Sequence, residues 1–133
     1  IWQGAAVRIE LLASGSEEVL WSKNLTPNDT TAVYDGEPLQ PGRRYQWRLY
    51  RSEQDPEVVL FRILPAQERD RITAELNQLP TQGANPEQIA LQRANYFAKN
   101  RLWSDALQEI YSVPNPSEQL QKLGQEITSY ICR

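Results

Sequence analysis

Leu39-Gln40-Pro41-Gly42-Arg43-Arg44-Tyr45-Gln46-Trp47-Arg48-Leu49 decides how the first half of this chain folds. Proline presets its own φ near the value of a turn's first central position, and glycine tolerates the positive φ of the second. Pro41-Gly42 is therefore a tight turn, and the residues after it alternate with period two. Tyr45, Trp47 and Leu49 fall on one face of a strand, and Arg44, Gln46 and Arg48 on the other. Working outward, Val7, Ile9 and Leu11 alternate in the same way, and Val19 and Trp21 precede a turn-rich Thr26-Pro27-Asn28-Asp29. Thr31–Asp35 is rich in β-formers. Ser52–Pro56 reads as a hairpin loop ahead of the apolar run Val58–Leu64. Short strands separated by turn signals at this spacing predict an antiparallel β-sandwich.

From Pro65 onward the period becomes helical. Ile72, Leu76 and Leu79 stand at i, i+4 and i+7. Asn85-Pro86-Glu87-Gln88 opens a second helix, with Asn as N-cap, Pro at N1 and Gln at N3. Asn115-Pro116-Ser117-Glu118 repeats that pattern ahead of a helix with Leu120, Leu123, Ile127 and Tyr130/Ile131 on one face. Ser104 is placed to cap a shorter helix carrying Ala106, Leu107, Ile110 and Tyr111. The fold class is thus α+β, with residues 1–64 forming the sandwich and residues 65–133 about four helices. Each part has roughly half of the 133 residues, and domains of that size are marginal alone. Together with the apolar character of both faces of Val58–Leu64, this predicts that the strand is covered on both sides and that the helices pack on the sandwich.

Composition narrows the chemistry. The chain has no histidine and one cysteine, Cys132. Histidine-based triads, histidine proton shuttles and histidine-ligated metals are therefore excluded, as are internal disulfides and multi-cysteine zinc sites. Cys132 reads as a small apolar residue on the last helical turn. The net charge is −3, spread almost evenly, so no basic face points to nucleic acid. Arg43, Arg44, Arg48 and Arg51 read as a solvated face diluted by neighbouring acids. No apolar run reaches the ~18 residues of a membrane span. The absence of any methionine and of a charged-then-apolar leader marks the chain as a segment of a longer or processed protein.

The β half resembles fibronectin type III-like (Ig-like) domains, particularly those of bacterial secreted and surface proteins. In these a Leu-x-Pro-Gly-x-x-Tyr segment leads into the penultimate strand, matched here by Leu39, Pro41, Gly42, Tyr45, Trp47 and Arg48. Trp2 then resembles the core tryptophan of an earlier strand, and the family's first strand would precede Ile1 and is missing. Residues 87–118 resemble a tetratricopeptide-like hairpin. Ala94 and Phe97 match its first helix, and Ala106, Ile110 and Val113 its second, while Arg101 stands where the turn glycine belongs. The order of the two parts, with Leu102-Trp103-Ser104-Asp105-Ala106-Leu107, is similar to uncharacterised cyanobacterial secreted proteins. The resemblance implies a periplasmic or secreted setting and no particular activity.

Three candidate sites emerge. Glu53, Asp55 and Glu57 are the tightest acid cluster, and paired carboxylates serve glycoside hydrolysis when correctly separated; in a hairpin loop beside Pro56 they read as solvated turn residues with no pocket around them. Trp21 and Trp103 fit either a core or interface or an exposed sugar-stacking platform. The tetratricopeptide resemblance implies a concave face on its first helix, where Leu91, Asn95, Ala98 and Lys99 fall, and Asn95 with Lys99 could grip a peptide carboxylate. The expected function is a non-catalytic protein-interaction or scaffold module of a bacterial extracytoplasmic protein. It needs no cofactor or metal, its partner is another protein, and Trp21, Asn95, Lys99 and Trp103 are the partner-binding candidates. The alternative is carbohydrate binding through exposed aromatics.

Overall fold

A computed structural model describes residues 1–132. The chain divides into two compact units, Ile1–Asp70 and the remainder from Arg71 onward. Its architecture is α+β: one four-stranded antiparallel sheet and four helices among the described residues.

The sheet consists of β1 (Arg8–Ala13), β2 (Val19–Asn24), β3 (Arg44–Tyr50) and β4 (Glu57–Arg62), in the order β2-β1-β3-β4. The Pro41-Gly42 turn forms as its residues require, with Gly42 at φ 77 and the Arg43 N–H donating to the Gln40 carbonyl at 3.3 Å. Register places Leu11 opposite Trp47 and Trp21, and Tyr45 opposite Phe61. One face therefore carries Ile9, Leu11, Trp21, Tyr45, Trp47, Leu49, Val59 and Phe61. Tyr45 and Trp47 both stack on Phe61, at centroid distances of 5.7 and 5.6 Å. Leu11, Tyr45 and Leu49 are buried there, and Leu12 and Gln46 are buried on the opposite face.

The strand expected at Thr31–Asp35 does not form. That segment crosses the aromatic face as irregular chain. Its Tyr34 lies 5.4 Å from Trp21 and 6.3 Å from Trp47, and the Thr30 carbonyl accepts from the Trp2 N–H at 3.0 Å. Local β-propensity without a partner strand in register leaves no ladder to join. No second sheet among the described residues closes over Val58–Leu64, and Val58, Val59 and Leu60 are 51%, 58% and 68% exposed.

The helices are α1 (Ala66–Asn77), α2 (Pro86–Lys99), α3 (Trp103–Tyr111) and α4 (Glu118–Ile131). The unit boundary falls within α1. Asn85 caps α2 through a complete capping box with Gln88, and Pro86 comes next at the start of the helix. α2 ends in a Schellman motif. The Arg101 N–H donates to the Ala98 carbonyl and the Leu102 N–H to the Phe97 carbonyl, with Arg101 in the left-handed region at φ 60.

Two expected caps are corrected. Ser104 lies inside α3, which begins at Trp103 with no side-chain cap bond. Ser117, not Asn115, caps α4 by accepting from the Leu120 N–H at 3.3 Å, while Asn115 takes φ 51 two residues upstream. The Asn-Pro pattern fails there because a left-handed Asn115 cannot supply the extended backbone of an N-cap.

Within the second unit, Ala94, Phe97, Ala106, Ile110, Leu120 and Ile127 are buried. A Cβ at Gly124 would meet the Ile110 Cγ2 at 3.3 Å, so glycine there permits the close approach of α4 to α3. The Tyr96 hydroxyl donates to Glu75 Oε2, joining α2 to α1, and Arg93 pairs with Glu109 at 2.7 Å, joining α2 to α3. Tyr130 and Ile131, expected on the buried face of α4, are exposed at its end, as is Cys132. No helix among the described residues is long and apolar enough to cross a membrane.

Candidate functional site: an aromatic cleft and an open sheet edge

The first unit carries a cleft of about 450 Å³ on its aromatic face. Trp2, Trp21, Trp47, Leu49 and Val59 supply its apolar wall, and Arg51 and Glu57 its charged end. The aromatic wall is built edge-on. Trp21 meets Trp47 with an interplanar angle of 80° and Tyr34 with 69°, and one face of Trp47 is taken by Phe61. The Trp21 indole N–H donates to Asp35 Oδ1 at 2.6 Å, which fixes its rotamer. Trp21, half-buried, thus belongs to a packed cluster at the rim of the cleft rather than to a flat platform.

The charged end corrects two readings of the acidic and basic clusters. Glu57 is the first residue of β4 and lines the cleft instead of lying in the solvated loop. Arg51 leaves the solvated arginine face: its Nε meets Glu57 at 2.6 Å, and its Nη1 donates to the Gln3 and Ala5 carbonyls at 2.6 and 3.1 Å. A Cβ at Gly4 would lie 3.2 Å from that same Nη1 and would be strained at a φ of 78, so glycine suits the backbone where it passes the guanidinium. The hydrogen bond from Arg51 pulls the Glu57 carboxyl below its ordinary pKa. This is the direction opposite to that of a general acid. Glu53 reaches Arg8 at 3.4 Å, and Asp55 occupies the turn at φ 25, so the three acids do not converge on one point.

The second surface is the β4 edge. β3 covers one side of β4, and no strand among the described residues covers the other. The Ile63 N–H donates to the Arg43 carbonyl at 3.0 Å. Antiparallel alternation then directs the backbone groups of residues 57, 59 and 61 toward β3 and those of Val58, Leu60 and Arg62 outward. The other edge, β2, carries Lys23, the kind of charge that discourages strand addition. β4 has charges only at its two ends and three exposed apolar residues between them.

The other predicted residues lie in the second unit. Asn95 and Lys99 are exposed one turn apart on α2, and neither side chain has a hydrogen bond or ion pair among the described residues. Trp103 is half-buried, its ring centroid 5.0 Å from that of Tyr130. The sequence reading missed β4 as a site because it assigned the apolar run to the core. The signal was nonetheless present, as the apolar run Val58–Phe61 at the end of a hairpin, hence at an edge unless another strand comes after it. Comparison with protein-family models, with curated proteins and with solved structures finds no match to this chain.

Proposed function

We propose that this chain is a non-catalytic protein-interaction module that engages another protein along the β4 edge. The observation that carries this reading is the exposure of Val58, Val59 and Leu60 on an edge strand with free backbone groups. Edges of that kind are templates for pairing with another chain, and soluble proteins ordinarily blunt them. The fibronectin type III-like and tetratricopeptide-like readings of the two parts belong to the same proposal. They are supported by the bond between Tyr45 and the turn before it, and by burial of Ala94, Phe97, Ala106 and Ile110. An extracytoplasmic setting rests on the resemblance alone.

The test compares the immobilised chain with a Val58→Lys/Leu60→Lys variant against the same periplasmic extract. A protein retained by the parent, lost from this variant and still retained by an Asn95→Lys control supports the reading. Equal retention by all three would sink it. A second reading, carbohydrate binding, is favoured by the cleft that Trp2, Trp21 and Trp47 line. Titration with neutral oligosaccharides, monitored by tryptophan fluorescence, distinguishes it, since ligand in the cleft would shift emission in the parent and equally in the Val58→Lys/Leu60→Lys variant, whose substitutions lie outside the cleft lining.

A further inference from the structure

We infer that the β4 edge takes an extended acidic–apolar segment of a partner protein as an added antiparallel strand, with a carboxylate set against Arg44 and Arg62. This rests on the interaction-module reading and names the chemistry of the partner.

Arg44 and Arg62 are directly opposite each other in the β3–β4 register. Both are exposed, and neither forms an ion pair or a side-chain hydrogen bond among the described residues. Like charges directly opposite in a sheet repel. Elsewhere on this face the arginines are matched: Arg48 is held by Glu17 through two bonds of 3.0 Å, and Arg8 by Glu10 at 3.0 Å. The unmatched pair is therefore local to the outer corner of the β4 edge.

The geometry couples this charge to the backbone. Val58, Leu60 and Arg62 are the residues whose N–H and C=O point outward, and their side chains share the face that carries Arg44. A strand added there pairs hydrogen-bonded residues directly opposite these three, with side chains on the same face. Running antiparallel, the added segment meets Arg62 first, then Leu60, then Val58. A carboxylate at the first position lies directly opposite Arg62, with Arg44 one strand further in on the same face. Apolar residues at the third and fifth positions cover Leu60 and Val58, which are more than half exposed.

A second copy of this chain fits less well. Two-fold pairing of β4 with itself preserves side-chain faces, so residues of one face must meet residues of that same face. The registers that use the free backbone groups set Arg62 opposite Pro56, Val58, Leu60 or the partner copy's own arginine at that position. None supplies a carboxylate directly opposite.

The experiment titrates the full chain into a fluorescein-labelled synthetic peptide, Thr-Glu-Thr-Val-Thr-Leu-Thr, and records polarisation. Three controls accompany it: the same peptide with Lys for Glu, the acidic peptide N-methylated at its Val, and the Arg62→Glu chain. The acidic peptide is expected to bind, and the Lys peptide roughly ten-fold more weakly, because attraction becomes repulsion. Arg62→Glu should reverse that preference, and N-methylation should abolish binding by removing a bond to Leu60. A Leu60→Pro chain should also lose binding. Its proline would replace an N–H that faces solvent, where an edge strand tolerates it, and if that variant fails to fold, the N-methylated peptide tests the same bond on the unaltered protein. Equal affinity for Glu and Lys peptides with sensitivity to N-methylation would overturn the acidic partner and leave the edge reading standing. No binding of either peptide, or binding indifferent to N-methylation, would overturn the edge reading itself. A concentration-dependent dimer in sedimentation velocity that Leu60→Pro removes would assign the edge to a second copy and overturn the acidic partner segment.

Discussion

Tyr45 shows how a single residue ties turn to strand. Its ring is 2% exposed, and its hydroxyl accepts from the Gln40 N–H at 2.9 Å, one residue before Pro41. Tyr45→Phe would keep the packing and leave that N–H without its partner. A loss of about 1 kcal/mol or slightly more is expected from equilibrium denaturation, with the sheet otherwise unchanged. The Leu-x-Pro-Gly-x-x-Tyr spacing is legible in the sequence, and the structure shows the bond that the spacing allows. Arg101 carries the opposite message. It holds φ 60 in the Schellman motif after α2, a conformation that costs a residue with a Cβ and costs glycine little. Arg101→Gly is therefore expected to raise stability by about 0.5–1 kcal/mol, measured by urea denaturation. A loss of stability would mean that the arginine side chain makes a contribution larger than its backbone strain.

At the level of elements, the helices were more legible than the strands that surround the candidate site. Asn85-Pro86-Glu87-Gln88 encodes its own start, since every bond of the capping box lies within four residues. Asn85→Ala should cost about 1 kcal/mol and fray α2 first, visible as faster hydrogen exchange at the Gln88 amide. Asn115 misled because the residue types of a cap say nothing about the φ that the preceding turn imposes. Thr31–Asp35 misled for a related reason. A strand needs a neighbour, and the neighbour is a long-range property that local β-formers do not contain. The apolar run of β4 was correctly read as a strand, and three of its residues are exposed. Periodicity reports which side chains are apolar, and it cannot distinguish a strand awaiting a partner from one already enclosed.

For the whole molecule, the sequence excludes histidine chemistry, and this has a thermodynamic consequence. With no histidine, no side chain has its ordinary pKa near 6.5, and stability is expected to vary little between about pH 5.5 and 7. Below that range four carboxylates govern the response. Glu17 is lowered by its hydrogen bonds to Arg48, Asp29 by the Thr26 N–H, Glu57 by Arg51, and Glu75 by the Tyr96 hydroxyl and then Arg71. A carboxylate whose folded pKa lies below its unfolded value stabilises the fold above the unfolded pKa. That contribution is lost as pH falls through the folded pKa. Asp105, raised by desolvation, acts in the opposite direction and offsets part of the loss in the second unit. Three of the four lowered groups lie in the first unit and only Glu75 in the second, where Asp105 opposes it. Acidification from pH 5 to pH 3 should therefore weaken the sheet more than the helices. Two signals separate them: tryptophan emission, dominated by Trp2, Trp21 and Trp47 of the first unit, and ellipticity at 222 nm, dominated by α1–α4. The emission midpoint in urea is expected to fall further than the ellipticity midpoint over this pH range, and Arg51→Gln should narrow the gap by removing the group that holds Glu57 ionised. If the ellipticity midpoint falls further instead, these ion pairs do not set the acid response of the sheet.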